Sequence, residues 1–366
     1  MVGLGLLVSE TGHVPLLYRT YPGNGSDQSV LAACLGGLAE LHEALDSAQG
    51  RERAQRTLVR DGGFWSPQLD LELDSAGYRS LISLPLGHKA AQEALLMAAQ
   101  RGAMKPLSGK LSEVRAARTR TAVGELDRTL VVVQSQELLQ GQKRGIAVAL
   151  RKAKEELGKL ERLIQSGRIS RSAVEQRVSK ALAREHLSSF VVTKVAGSEE
   201  KPTLSWHVDA ALRRELERTR LGRRVLCTDR HNWSTGRIVY AFRGQWNVEE
   251  MFRRAKKGGV VPWGPSHQWA DGSLRMHTFA TVLGLMLVSL AKIALGTDAS
   301  ARLMLESLAQ IKATLVRTTT GGAGRRPTVM LAPELTAEQR RAVKVFELEK
   351  WYPNILSCTI SRPIKQ

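Results

Sequence analysis

The chain has 366 residues, 43% of them hydrophobic, which suffices for one large interrupted domain or two to three modest ones and excludes global disorder. Its 54 Lys and Arg against 35 Asp and Glu give a formal net charge of +19, an excess that favours a polyanionic partner, nucleic acid first. Cys34, Cys227 and Cys358 lie far apart with no Cys-x-x-Cys pair, which excludes a cysteine-rich zinc module and a disulfide framework and suits a reducing cytoplasm.

The opening MVGLGLLVSETG is too short, and lacks the basic start, for a signal peptide. Residues 2–8 and 14–21 read instead as two apolar strands of a hairpin turning at Glu10-Thr11-Gly12. Pro22-Gly23-Asn24-Gly25 breaks the chain, and Ser26 or Asp27 caps a helix expected to run to about Leu45. A short strand, 57–60, ends at Asp61-Gly62-Gly63; a helix from about Pro67 to Ala76 and a strand Tyr78–Leu84 follow. The alternation predicts a mixed α/β sheet, in which functional groups sit at the carboxyl ends of strands, as Asp61 does. The two glycines after it permit a sharp turn and a close approach.

From about Pro85 to Arg224 the sequence is basic, poor in aromatics and without α/β rhythm. Ile146, Leu150, Ala153, Leu157, Leu160 and Ile164 form a heptad seam on a helix from about Gln142 to Gln165, closed by Ser166-Gly167. A second helix carrying Val174, Val178 and Leu182 is expected to start at a Ser172/Glu175 capping box, which makes a helical hairpin. Residues 141–190 hold 12 Lys and Arg against 5 Asp and Glu, so its outer face is positive, whether merely solvated or in contact with DNA. Strands near 129–134, 188–195 and 203–208 flank it. A strand returns at Val225–Asp229, then a long helix from about Ser234 to Lys257 and a helix from about Ser273 to Leu295. The apolar run within the latter, Phe279 to Ala291, is about 13 residues, short of the ~20 that span a bilayer, and reads as a buried core helix. Residues 317–328 read as a flexible basic loop, and the last 40 as a small helical tail.

The stretch Phe242–Lys256 carries the chemistry. On one helix, Glu249 and Lys256 share a face two turns apart, flanked by Trp246 and Arg253, while Val248 and Phe252 line a stripe towards the core. A carboxylate followed by a same-face cation suits a site that holds a divalent metal and a phosphate together. The hairpin with Tyr21-Pro22-Gly23-Asn24 and Ser26-Asp27, the Asp61-Gly62-Gly63 strand end, Thr228-Asp229-Arg230, the Trp246-x-Val-Glu249-x-x-Phe252-Arg253-x-x-Lys256 helix and Arg275-x-His277 occur in this order. Together they resemble the DDE transposases of bacterial insertion sequences, in the subgroup whose RNase H-like core is split before the catalytic glutamate.

The resemblance implies an RNase H-like α/β core interrupted by an α+β insertion domain. Residues 1–84 and 225–300 would form the core, 85–224 the insertion with its helical hairpin, and 301–366 a helical tail. In that family two aspartates and a glutamate bind two Mg²⁺ (or Mn²⁺) ions, cleave transposon ends and transfer the strand. Asp61 matches the second aspartate, Glu249 the glutamate, and Lys256 a lysine that grips phosphate; Arg253, Trp246 and Lys257 extend the expected DNA contact. The partners implied are DNA and a second copy of the chain, in the cytoplasm at the nucleoid and away from membranes.

Two departures matter. Phe242 and Gln245 stand where the family carries Tyr and Arg, and the first aspartate is expected in a strand ahead of the hairpin that opens this chain. Asp27 reads as an ordinary helix cap, which leaves a chain expected to be truncated and inactive alone. The rivals are a non-catalytic DNA-binding remnant and an RNase H-like nuclease that recruits Asp27. Individual residues keep bland alternatives: a turn role for Asp61, packing for Trp246, solvation for Arg253 and Lys257. For Asp229 the alternative is a cap or turn role, and for His277 a local hydrogen bond. The Val-Glu-x-x-Phe spacing selects Glu249 over Glu250.

Overall fold

The computed structural model of the protein describes residues 2–52, 55–256, 259–264, 270–312, 314–317, 328–331 and 334–352. In chain order the elements are β1 (Val2–Val8), β2 (Pro15–Pro22), α1 (Asp27–Ala32), α2 (Leu35–Ala48), β3 (Thr57–Arg60), α3 (Pro67–Ser75), β4 (Arg79–Leu84), α4 (Lys89–Ala98), β5 (Lys105–Pro106), β6 (Val114–Val123) and β7 (Leu126–Ser135). Then come α5 (Gln136–Gln165), α6 (Arg171–Leu182), β8 (Val191–Gly197), β9 (Pro202–Val208), α7 (Ala210–Thr219), β10 (Arg223–Thr228), α8 (Thr235–Arg243), α9 (Trp246–Ala255), α10 (Asp271–Leu295), α11 (Ala301–Ala309), β11 (Thr314–Arg317), β12 (Thr328–Leu331) and α12 (Ala337–Val345). The chain divides into two compact units, one of Asp27–Gln245 and one joining Met1–Ser26 to Trp246–Gln366.

The Asp27–Gln245 unit is built on a six-stranded mixed sheet in the order β3-β4-β10-β7-β6-β5. β3 and β4 are parallel, with Arg60 opposite Ile82, and every other pair is antiparallel. Strand alternation sorts the core. Ile82, Leu130, Val132, Val225 and Cys227 face the alanine-rich side of α4, and Leu81, Val131 and Leu226 face Ile238, Val239 and Phe242 of α8. Helices therefore cover both faces, and the fold is mixed α/β as expected. Burial pushes the Cys227 thiol up to about 12, so this cysteine is a core residue.

A second core lies in the same unit. The heptad residues Ile146, Ala153, Leu157 and Leu160 of α5 meet Val174, Val178 and Leu182 of α6, Phe190, Val191 and Leu216. This is the expected helical hairpin, with two differences. α6 is capped by Ser170, whose hydroxyl accepts from the amide of Ala173, while Ser172 bonds Glu199. The expected insertion boundary at residue 85 also falls inside the sheet, because α4, β6 and β7 continue the α/β rhythm.

Two expected helices are broken. The one after Asp27 stops at Ala32 and restarts at Leu35, and the one expected from Ser234 to Lys257 becomes α8 and α9. α8 ends in i→i+3 bonds from Gly244 and Gln245 to Ala241 and Phe242, and the unit boundary follows Gln245. Glycine supports this exit because it forgoes the side chain that favours continuing the helix.

In the second unit β1 and β2 pair antiparallel, Val2 opposite Pro22. The hairpin turns at Gly12 and His13, whose φ values of 74° and 55° are left-handed. A β-carbon at Gly12 would stand 2.2 Å from Ile293 Cδ1, so only glycine lets the turn approach α10 this closely. Met251, Ala255 and Leu285 pack with Leu6, Val8 and Trp263, joining α9 and α10 to the hairpin. α10 is less buried than expected. Val282, Leu285, Val288 and Leu295 are in the core, whereas Met276, Phe279, Leu283, Leu287, Leu290 and Ile293 are exposed. By length and composition alone this 25-residue helix could cross a membrane. The expected basic loop falls at 318–327, outside the described residues, between β11 and β12.

Candidate active site

Asp61 follows the carboxyl end of β3. Its backbone is extended (φ −77°, ψ 163°), and the next residues, Gly62–Phe64, make one 3₁₀ turn closed by the Phe64 amide on the Asp61 carbonyl at 3.0 Å. The turn is pinned from beneath. Arg60 is buried and donates to Asp70 Oδ1 at 2.5 Å, Ser80 Oγ at 2.6 Å and the Phe64 carbonyl at 3.3 Å. Asp61 is exposed, and its carboxylate has no hydrogen-bond or ion-pair partner among the described residues.

The glycines after Asp61 answer to two neighbours. A β-carbon at Gly62 would lie 3.0 Å from the Ser83 carbonyl of β4, and one at Gly63 would lie 2.8 Å from Asp27 Oδ2. Asp27 therefore does more than start a helix. It opens α1, exposed, and its carboxylate lies against the turn that follows Asp61. Its neighbour Gln28 donates to the Trp65 carbonyl at 2.7 Å, holding α1 on the same turn. The sequence favours Asp27 as a helix cap and gives it a ligand role only in the nuclease alternative; the signal for its position here is the second glycine, which marks a close approach.

Asp229 lies elsewhere. It is buried, accepts from the Ser80 amide at 3.0 Å and from Arg79 Nη1 at 3.3 Å, and so closes the β4–β10 ladder. Thr228 pairs with Leu81, and Arg79 with Thr57 at the start of β3, which puts Asp229 at the opposite end of β3 from Asp61. Its role is the structural one.

Glu249 belongs to the other unit, on α9. The buried face of that helix is Asn247, Met251, Arg254 and Ala255; Val248 and Phe252, expected there, are only half-buried. Glu249, Arg253 and Lys256 are exposed. Their i, i+4, i+7 spacing puts Glu249 and Arg253 on one face, and Lys256 follows one residue past the helix end, its amide 3.4 Å from the Arg253 carbonyl. Lys257 lies outside the described residues. Glu250 is committed, accepting from Arg253 Nη1 at 2.5 Å and Arg254 Nε at 3.2 Å. Glu249 has no such partner among the described residues.

Trp246 is 51% exposed, and the His13 ring meets it edge-on with centroids 5.9 Å apart. Partial burial, then the Arg254 and Lys292 charges, hold the His13 imidazole below its ordinary value; burial and Arg254 do the same to the Lys292 ammonium. His277 is 2.7 Å from the Trp263 carbonyl, a local hydrogen bond.

Among the described residues no three His, Cys, Asp or Glu side chains converge as metal ligands. A cleft of about 500 Å³ opens beside α2, where His42 Nδ1 lies 3.0 Å from the Tyr78 hydroxyl and Arg56 is paired with Asp46; nothing in the sequence pointed to it. No protein-family model matches the sequence, and no curated protein does.

Proposed function

We propose that this chain is a DNA transposase of the insertion-sequence type, with an RNase H-like core that uses Asp61 and Glu249 for divalent-metal-dependent phosphodiester chemistry. The observation that carries this reading is the exposed Asp61 carboxylate, without a partner among the described residues, at the end of a parallel strand, with the Asp27 carboxylate beside the same turn. Two exposed carboxylates offer hard oxygen donors and suit Mg²⁺ or Mn²⁺, which take one or two protein carboxylates and keep several waters. Two such ions, when bound, activate the attacking hydroxyl and stabilise the leaving oxygen of an in-line displacement.

The protein's own residues position the DNA. Lys256 and Arg253 project from the same part of the chain as Glu249 and meet phosphate oxygens as cations. Lys257 shares that role by sequence. Trp246, half-exposed, offers a stacking surface for a base or sugar. The mixed sheet covered by helices on both faces supports an RNase H-like core. We extend the reading to a homodimer on paired DNA ends, at the nucleoid.

Asp27 favours a second reading, a nuclease that cuts without strand transfer. A supercoiled plasmid incubated with the protein and Mg²⁺ or Mn²⁺ tests both. Metal-dependent nicking that disappears in Asp61→Asn and Glu249→Gln supports the chemistry, and nicking that survives both substitutions sinks it. Joining of a labelled 3′-hydroxyl strand to the plasmid separates transposase from nuclease.

A further inference from the structure

We propose that the surface around Trp233, beyond the carboxyl end of β10, docks the phosphodiester backbone of DNA at a place distinct from Asp61. The inference rests on DNA being the partner, as read above, but not on the metal chemistry.

Three guanidinium groups converge on Trp233 from three elements. Arg118 of β6 donates to the carbonyls of Trp233 at 2.7 Å and His231 at 2.6 Å. The Arg230 guanidinium carbon stands 5.3 Å, and that of Arg237 on α8 5.1 Å, from the centre of the indole ring. Arg230 also donates to Thr57 Oγ1 at 2.8 Å and to the carbonyl and side-chain oxygens of Gln55 at 2.9 and 3.3 Å.

The partners of Arg118 and Arg230 decide the matter. All of them are neutral: carbonyls, a hydroxyl, an amide oxygen. Other arginines of this unit are matched to carboxylates, Arg79 to Asp229, Arg120 to Asp127 and Arg243 to Glu113. Around Trp233 the chain thus holds the Arg118 and Arg230 guanidinium groups in place through neutral hydrogen-bond partners. Arg118 spends two of its five N–H donors on carbonyls and is exposed, so the rest of its fork remains for an anion. Fixed forks suit phosphate, because little side-chain freedom is left to lose on binding.

Aromatic rings interleave the charges. Arg237 and Tyr240, three apart, share one side of α8; Arg237 lies over the ring of Trp233 just ahead of that helix, and Tyr240 is 55% exposed. Alternating guanidinium and aromatic groups fit a sugar–phosphate strand better than an acidic peptide, since the rings can pack on sugars or bases. The site is remote from the carboxylates. Arg230 reaches Thr57 at the start of β3, whereas Asp61 follows its end, four residues or roughly 13 Å along the strand.

The bland role of these arginines is to tie the 229–234 loop to β3 and β6, so the test must separate binding from folding. Fluorescence anisotropy of the full chain with a labelled DNA duplex, over a range of salt, reads affinity and the number of phosphates neutralised. In Arg118→Gln/Arg237→Gln we expect about a tenfold weaker affinity near physiological salt, and a log K against log salt slope shallower by about 0.9 per lost contact. Arg237→Gln alone, an exposed position, gives a smaller change of the same sign and keeps the test valid should the double variant unfold by circular dichroism. Folded variants with wild-type affinity and slope overturn this surface alone. A wild-type chain that binds no DNA overturns the partner reading, and this inference with it.

Discussion

Asp27 and Gly63 sit so close that a β-carbon on the glycine would stand 2.8 Å from the Asp27 carboxylate oxygen. Gly63→Ala therefore pushes that carboxylate away from the turn after Asp61 while touching little else, because the obstacle is an exposed side-chain end. We expect Mn²⁺ affinity, read by the enhanced relaxation of water protons, to fall several-fold. Stability should stay within about 0.5 kcal/mol of wild type, as for most exposed positions. Equal Mn²⁺ affinity in the two proteins removes Asp27 from the site.

The legible parts of the fold were those with strong local periodicity or unambiguous punctuation. The heptad of α5, the hairpin β1–β2 and the strand ending in Asp61 needed no distant partner to be seen. β6 was missed because its core positions are filled by small Ala116 and Ala117, and its exposed positions by Arg115, Arg118 and Arg120, which read as a basic linker. The expected helix across Ser234–Lys257 was plausible residue by residue; its break at Gly244–Gln245 coincides with the unit boundary, a tertiary fact that overrides propensity. Asp61 and Glu249 could be nominated as candidates from motif spacing. The nearness of Asp27 to Gly63 could not, since α1 returns to the turn after β3 across 36 residues of sequence.

Arg60 and Asp70 form a buried ion pair, at 5% and 6% side-chain exposure, directly beneath the Asp61 turn. Removing one partner leaves the other charge buried without compensation, a loss of about 3–5 kcal/mol. Arg60→Met should therefore lower the urea midpoint strongly. Arg60→Met/Asp70→Leu should recover much of the loss, because an apolar pair needs no charge balance. A double variant as unstable as the single one contradicts this account of how the Asp61 turn is held.

His13 gives the protein a predictable response to acid. Its folded-state pKa lies below the ordinary value of 6.5, through burial first and the nearby Arg254 and Lys292 charges second. Between those two values the unfolded chain takes up a proton that the folded chain refuses. Stability is therefore complete above pH 6.5 and declines as pH falls from there through the folded value. His13→Asn keeps a residue tolerant of the left-handed turn and cannot titrate, so it should flatten this part of the stability curve in denaturant titrations across pH. An identical pH dependence in wild type and variant assigns the acid response to other groups.

Adjacent glutamates on α9 should behave oppositely. Among the described residues Glu250 is the only carboxylate paired with Arg254, a side chain 6% exposed whose Nη1 has no hydrogen-bond partner there. Glu250→Gln strips the buried guanidinium of its counter-charge and should cost about 1.5–3 kcal/mol, the range for hydrogen bonds to charged groups. Glu249 is exposed and unpartnered among the described residues, so Glu249→Gln should leave stability within about 0.5 kcal/mol of wild type. Thermal melts of the two variants check the division. It matters for the functional reading because a carboxylate kept free on a helix whose other acid is fully engaged has no folding role to explain it. A large destabilisation by Glu249→Gln would give it one, and would weaken its candidacy as a metal ligand.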